Sequence, residues 1–274
     1  MVMRGDYRKV KSEIDSGGTP SNSSLSLSIL INSDLEVGDL MRIVGLQKMT
    51  LLDYPGKVAC TVFLGGCNFR CPFCHNGGLL DGDAPEVMTE AELLKFLSGR
   101  QGLLDGVCIT GGEPTLSPEL PRLVEQIKNL GFAVKLDTNG SNPKMLKQLV
   151  EAGLVDYVAM DVKNCPRQYA ATVGRSSAPL ETVEESLRFL MEGKVDYELR
   201  TTVVQELHDE NGIREMGQWL YQLNDCQKIP KLFLQPFVQR ASVLNQTLTP
   251  PETAQMTHFV ELLCTFAREV SIRG

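Results

Sequence analysis

Aromatic residues are sparse in this chain, 6% of 274 residues with a single Trp. A basic excess is also missing. Lys and Arg number 27 against 34 Asp and Glu, a formal net charge of −7. An acidic chain without long basic runs argues against non-specific nucleic-acid binding, so no nucleic-acid partner is expected. No apolar run approaches the roughly 18 residues that a membrane helix needs. Residues 25–31 are apolar but broken by serines, and the basic start is not followed by a signal-peptide core. The expectation is a soluble, cytoplasmic protein with no membrane partner. Eight cysteines are too few for a disulfide scaffold. Hydrophobic residues make up 42% and charged residues 22%, which excludes a disordered chain, a collagen and a coiled coil. The length admits one large domain or two small ones.

What is present is unevenly spread. Residues 16–24 (Ser16-Gly17-Gly18-Thr19-Pro20 and the Ser/Asn run after them) read as linker. Residues 1–40 are therefore expected to be a flexible N-terminal extension, with a short strand at 25–31. The functional domain is expected at 41–274.

From residue 58 onward, strand and helix signals alternate. Strands are predicted at 58–64, 106–110, 132–136, 156–162, 197–204 and 231–234. Helices are predicted at 89–97, 117–130, 142–152, 182–192, 213–223 and 252–270. Thr89 with Glu92 three residues on is a capping-box pattern, and Pro118 suits a first helical turn. Strict strand–helix alternation implies an α/β fold with a parallel sheet covered by helices. Six repeats form either an open doubly wound sheet or an incomplete barrel, and in both the chemistry belongs at the carboxyl ends of the strands. The polar and glycine motifs fall at those ends: Gly65-Gly66, Gly111-Gly112-Glu113-Pro114, Asp137, and Asp161 with Lys163.

Three cysteines, Cys67, Cys71 and Cys74, are crowded into one loop with C-x3-C-x2-C spacing. Thiolates are soft ligands that suit iron–sulfur clusters and zinc. A structural zinc site wants four protein ligands. His75 could be a fourth, but its adjacency to Cys74 makes joint tetrahedral ligation awkward. Three thiolates on a four-iron cube leave one iron open to an outside ligand. The spacing favours iron–sulfur, and a non-catalytic zinc-binding interaction module stands as the alternative of another class.

C-x3-C-x2-C with Phe73 before the last cysteine, followed one strand later by Gly-Gly-Glu-Pro, resembles the radical S-adenosylmethionine (SAM) superfamily. Cys74-His75-Asn76, Leu136-Asp137-Thr138-Asn139-Gly140 and Met160-Asp161-Val162-Lys163 resemble glycyl-radical-enzyme activating enzymes. The segment Gln47-Lys48-Met49-Thr50-Leu51-Leu52-Asp53-Tyr54-Pro55-Gly56-Lys57 is similar to the anaerobic ribonucleoside-triphosphate reductase activating proteins. The likeness spans about residues 41–237.

The resemblance implies a partial (β/α)6 barrel of the radical SAM type. It implies one [4Fe-4S] cluster on Cys67, Cys71 and Cys74, whose open iron takes the amino and carboxylate groups of SAM. One-electron reduction of the sulfonium then gives methionine and a 5′-deoxyadenosyl radical. Gly111 and Gly112 would let the backbone approach a ligand. Glu113 would accept from the SAM amino group, and Pro114 would fix the turn. Asp137 and Asp161 would contact SAM or a nearby cation, and Lys163 would answer the SAM carboxylate. Asp161 and Lys163, two apart, share one strand face. Apart from the resemblance, Arg200 is a charge inside the strand predicted at 197–204 and needs a partner, so it either reaches the site or forms a rim salt bridge. Phe73, His75 and Asn76 would line the adenine pocket.

His208 and His258 read as surface or satisfied core. Cys60, Cys108, Cys165, Cys226 and Cys264 read as small hydrophobes, so one cluster per chain is expected. The implied partner is a glycyl-radical enzyme, most directly an anaerobic ribonucleotide reductase, with a pyruvate formate-lyase type enzyme as the alternative. A low-potential electron donor such as flavodoxin is implied as well.

Overall fold

A computed structural model of the chain describes residues 41–80 and 84–273. The expected extension at 1–40 and the strand at 25–31 lie outside the described residues. Eight strands form one sheet in sequence order: β1 Ile43–Thr50, β2 Ala59–Leu64, β3 Gly106–Gly111, β4 Ala133–Thr138, β5 Tyr157–Asp161, β6 Asp196–Val203, β7 Ile229–Pro236 and β8 Ala267–Ile272. β1 runs antiparallel to β2, and every later neighbour is parallel. Among the described residues, β1 and β8 are the two edges of the order, so the barrel is partial.

The helices are α1 Glu90–Ser98, α2 Leu120–Asn129, α3 Pro143–Glu151, α4 Pro166–Thr172, α5 Leu180–Met191, α6 Glu210–Leu223 and α7 Thr253–Leu263. Each of the six strands β2 to β7 is followed by a helix, as the alternation predicts. The apolar spacing sets which helix face is buried. In α2, Leu120, Leu123, Val124 and Ile127 are buried, the i, i+3, i+4, i+7 pattern of one helix face. The capping box at α1 is formed: the Thr89 side chain accepts from the Glu92 N–H, and the Thr89 N–H donates to Glu92 Oε2 at 2.8 Å. No described helix is long and apolar enough to cross a membrane.

Two expectations are corrected at the edges of the sheet. β1 is a strand that the sequence pattern does not announce, because residues 47–49 at its far end are exposed and break the alternation. The helix predicted over 252–270 ends at Leu263, and the chain returns as β8 beside β7. That return brings Arg273 Nη1 to 2.5 Å from Oε1 of the fully buried Glu198. The short helix α4 also has no counterpart in the predicted elements.

The β1–β2 hairpin closes the amino end of the barrel. Tyr54 is buried there with its ring 6.1 Å from that of Tyr157, and Thr61 Oγ1 donates to Asp53 Oδ2 at 2.5 Å. The segment 47–57 therefore sits at the opposite end of the strands from the cysteine loop, which follows the carboxyl end of β2.

Candidate active site

Two glycine turns meet at the carboxyl ends of β2 and β3. The Gly112 N–H donates to the Leu64 carbonyl at 2.9 Å, and the Glu113 N–H to the Gly66 carbonyl at 2.8 Å. The approach is so close that a Cβ on Gly112 would stand 1.9 Å from the Gly66 oxygen. Gly111 has φ +126°, and a Cβ there would lie 2.2 Å from the Leu64 oxygen. These glycines are thus required by the neighbouring loop itself, in addition to bordering the cavity described below.

Gly66 leads directly into the cysteine loop. Buried Phe69 and Phe73 anchor it from below. Its outward carbonyls are capped by arginines: Arg70 Nη1 donates to Cys67 O at 2.6 Å, and Arg175 Nη1 to Asn68 O at 2.6 Å. The Cys74 N–H donates to Cys71 O at 3.0 Å, which turns the third thiol back toward the first two.

The three thiols border a cavity of about 220 Å³. Phe73, His75 and Asn76 line it beside them, and Gly111, Gly112 and Glu113 close a second side. Asp137, Asp161, Lys163 and Arg200 form a charged wall. Thirteen of the fourteen residues singled out in the sequence thus converge on one cavity. Pro114 does not line it and instead starts the short turn Pro114–Leu116 behind it.

The charged wall is a continuous chain of ion pairs. Lys163 Nζ lies 2.8 Å from Asp161 Oδ2, and Arg200 Nε lies 3.0 Å from Asp161 Oδ1. Arg200 Nη1 lies 3.1 Å from Asp137 Oδ2, and Lys135 Nζ pairs with Asp137 Oδ1. Arg200 therefore belongs to the site and makes no rim salt bridge. Burial opposes ionisation of Asp161, but Arg200 and Lys163 outweigh it and bring the carboxyl down to about 2. Asp137 is likewise lowered against burial by Arg200 and Lys135.

Glu113 behaves differently. It is buried, and its bonds within the protein are to protein donors: Thr115 N–H at 3.1 Å, Thr115 Oγ1 at 2.5 Å, Thr138 Oγ1 at 2.7 Å and Asn139 N–H at 2.7 Å. Burial raises its pKa despite these bonds. His75 donates from Nε2 to the Val238 carbonyl at 2.8 Å and stacks on Phe237 at 5.7 Å, which commits that nitrogen away from any metal.

Burial also pushes the Cys67 thiol up to about 12 and Cys71 to about 11, and raises Cys74. Three thiolates here need a strong cationic partner to offset the loss of water. Among the described residues, no three His, Cys, Asp or Glu side chains converge as ligands of a single metal ion. The other five cysteines are not part of this loop: Cys60, Cys108 and Cys165 are buried elsewhere, and Cys226 and Cys264 are exposed.

The family model of the radical SAM superfamily matches residues 61–215, more than half of the chain. The chain belongs to the radical SAM superfamily. It is a radical SAM enzyme, and the family's [4Fe-4S] cluster and SAM are its cofactors. Membership in this enzyme family sets aside the non-catalytic zinc module.

Three relatives illustrate the range. A provisionally named glycyl-radical enzyme activating enzyme of Methanocaldococcus jannaschii is 32% identical over 66% of this chain and 75% of its own length. A 7-carboxy-7-deazaguanine synthase of Neisseria meningitidis serogroup B is 30% identical over 69% of this chain and 76% of its own. The pyruvate formate-lyase-activating enzyme of Clostridium pasteurianum is 27% identical over 70% of this chain and 81% of its own.

The residues fit the cofactors: three thiols, two cations, three carboxylates and a glycine turn line one cavity, and Lys163 acts electrostatically on Cys71. Sequence reasoning missed several contributors, among them three polar lining residues and one lysine beneath them. Thr138, Asn139 and Gln235 line the cavity, and Lys135 stands behind Asp137. Thr138 and Asn139 lay inside a motif already quoted. Lys135 had its own signal, a lone lysine within the apolar run of β4.

Proposed function

We propose that this chain activates a glycyl-radical enzyme, with residues 41–274 as its radical SAM domain and anaerobic ribonucleoside-triphosphate reductase as its partner. The observation that carries the reading is the convergence of the three loop thiols and the Asp137–Arg200–Asp161–Lys163 ion pairs on one cavity. When bound, the cluster and SAM would supply the one-electron chemistry that removes a hydrogen atom from a glycine Cα of the partner.

This chain's own residues bind and orient. Cys67, Cys71 and Cys74 would hold the cluster. Lys163 and Arg200 present cations to the SAM carboxylate. Asp137 and Asp161 accept from the nucleotide or hold a nearby cation. Phe73, His75 and Asn76 border the adenine. Reduction calls for a low-potential donor such as a flavodoxin, in keeping with a cytoplasmic setting.

The activase class is supported by the Methanocaldococcus relative. The choice of reductase is supported by the likeness of residues 47–57 to that group of activating proteins. The Clostridium relative supports a pyruvate formate-lyase type partner as the second reading. Anaerobically reconstituted protein, mixed with SAM, a reductant and each partner in turn, should give a glycyl radical by electron paramagnetic resonance with the reductase. A radical on the formate-lyase type partner alone would select the second reading. A radical on neither would move the substrate to a small molecule, as for the Neisseria relative.

A further inference from the structure

Lys135 does not border the cavity, yet its side chain is only 1% exposed in the middle of β4. Its register partner on β3 is Cys108, whose partner on β2 is Thr61, so it occupies the layer beneath the cavity floor. Its ammonium pairs with Asp137 Oδ1, and Cys108 Sγ lies 3.8 Å away. A buried ammonium is strongly penalised unless paired, and an apolar side chain of similar volume would fill the space without that penalty. Filling space therefore does not account for a lysine here; the ion pair with Asp137 does.

That ion pair completes an alternating series. Asp137 is held on Oδ1 by Lys135 and on Oδ2 by Arg200, and Asp161 is held on Oδ1 by Arg200 and on Oδ2 by Lys163. The series counts three cations against two anions, and Lys135 is the member that does not line the cavity. Without it, Asp137 Oδ1 keeps only the weak Cys108 thiol donor 3.6 Å away. The carboxylate is then held less firmly, and with it Arg200, which spans both aspartates.

We propose that Lys135 is a positioning residue for the SAM site, pinning Asp137 from beneath so that Arg200, Asp161 and Lys163 are held where the ligand meets them. The inference rests on SAM binding in this cavity and is independent of which partner receives the radical.

The test is a double-mutant cycle on SAM affinity with full-length, anaerobically reconstituted protein. Binding is followed by the change that SAM makes in the electron paramagnetic resonance spectrum of the reduced cluster. Lys135→Met should weaken SAM binding on the order of tenfold, as loss of a residue that orients a binding group does. In an Asp137→Asn background the same change should alter affinity by no more than about twofold, because its target is already gone. Unchanged affinity in Lys135→Met overturns the proposal, as does an equal loss in both backgrounds, which marks a general packing role. If Lys135→Met does not fold, Lys135→Gln, which keeps a donor but no charge, takes its place under the same criteria. Wild-type protein that binds no SAM overturns the site reading itself, and the Lys135 proposal with it.

Discussion

The backbone N–H of Asn139 donates to Glu113 Oε2 at 2.7 Å, tying the turn after β3 to the turn after β4. Glu113 Oε1 takes the hydroxyls of Thr115 and Thr138 as well. Glu113 thus joins the ends of two strands. Glu113→Ala strands several buried donors, each costing about 1–3 kcal/mol. Its apo form should lose at least about 2 kcal/mol in denaturant unfolding, together with SAM binding. Unchanged apo stability with lost SAM binding would instead assign Glu113 to the ligand alone.

Gly112 tolerates no side chain, because the Gly66 carbonyl occupies the space a Cβ would need. Gly112→Ala must push the turn and the cysteine loop apart, a distortion of about 1–3 kcal/mol. The variant should bind less iron on reconstitution and unfold earlier. Full iron content with wild-type stability would contradict the close approach of the two turns.

His208 is buried behind Lys163. Its Nδ1 accepts from the Val204 N–H at 3.1 Å, and its Nε2–H donates to the Lys163 carbonyl at 2.9 Å. Burial lowers its pKa below the ordinary 6.5. A histidine with a depressed pKa favours the native state above 6.5 and loses that contribution as pH falls, because the unfolded chain takes up the proton first. Apo protein should therefore lose stability below about pH 6.5. The loss should be smaller in His208→Gln, measured by chemical unfolding between pH 8 and 5. An identical slope in the variant would rule out this source.

Arg273 sits over the Phe233 ring at 3.7 Å and satisfies Glu198, which also accepts from the Tyr157 hydroxyl at 2.9 Å. Removing one partner of a buried pair leaves an uncompensated charge. Arg273→Ala should cost about 2 kcal/mol, less than a fully buried pair because the arginine is about a third exposed. A thermal shift within error of wild type would show that β8 is held by its backbone pairing alone.

Much of this was legible from residue order. Apolar runs such as Ala59–Leu64, bounded by glycines, mark parallel strands whatever the tertiary context, and the cysteine and Gly-Gly-Glu-Pro motifs fall where those strands end. The edges were not legible. Val270 and Ile272 read equally as helix continuation or strand until Glu198 is known to need Arg273. The exposed end of β1 carries no alternating pattern at all. Within the site, spacing placed Asp161 and Lys163 on one strand face. It did not show that Glu113 spends its carboxylate on Thr115, Thr138 and Asn139, since those bonds span turns from different strands. Lys135 could have been found by the reasoning applied to Arg200, that a charge inside a strand needs a partner.

The central claim is that Cys67, Cys71 and Cys74 alone hold a cluster open to SAM. It is tested most directly by 5′-deoxyadenosine formed on reduction of the anaerobically reconstituted chain with SAM. The account predicts formation by wild type and by Cys108→Ala, and loss in Cys67→Ala, Cys71→Ala and Cys74→Ala. A wild-type protein carrying its full complement of iron but forming no 5′-deoxyadenosine would contradict it, as would a loop-cysteine variant that still forms the product.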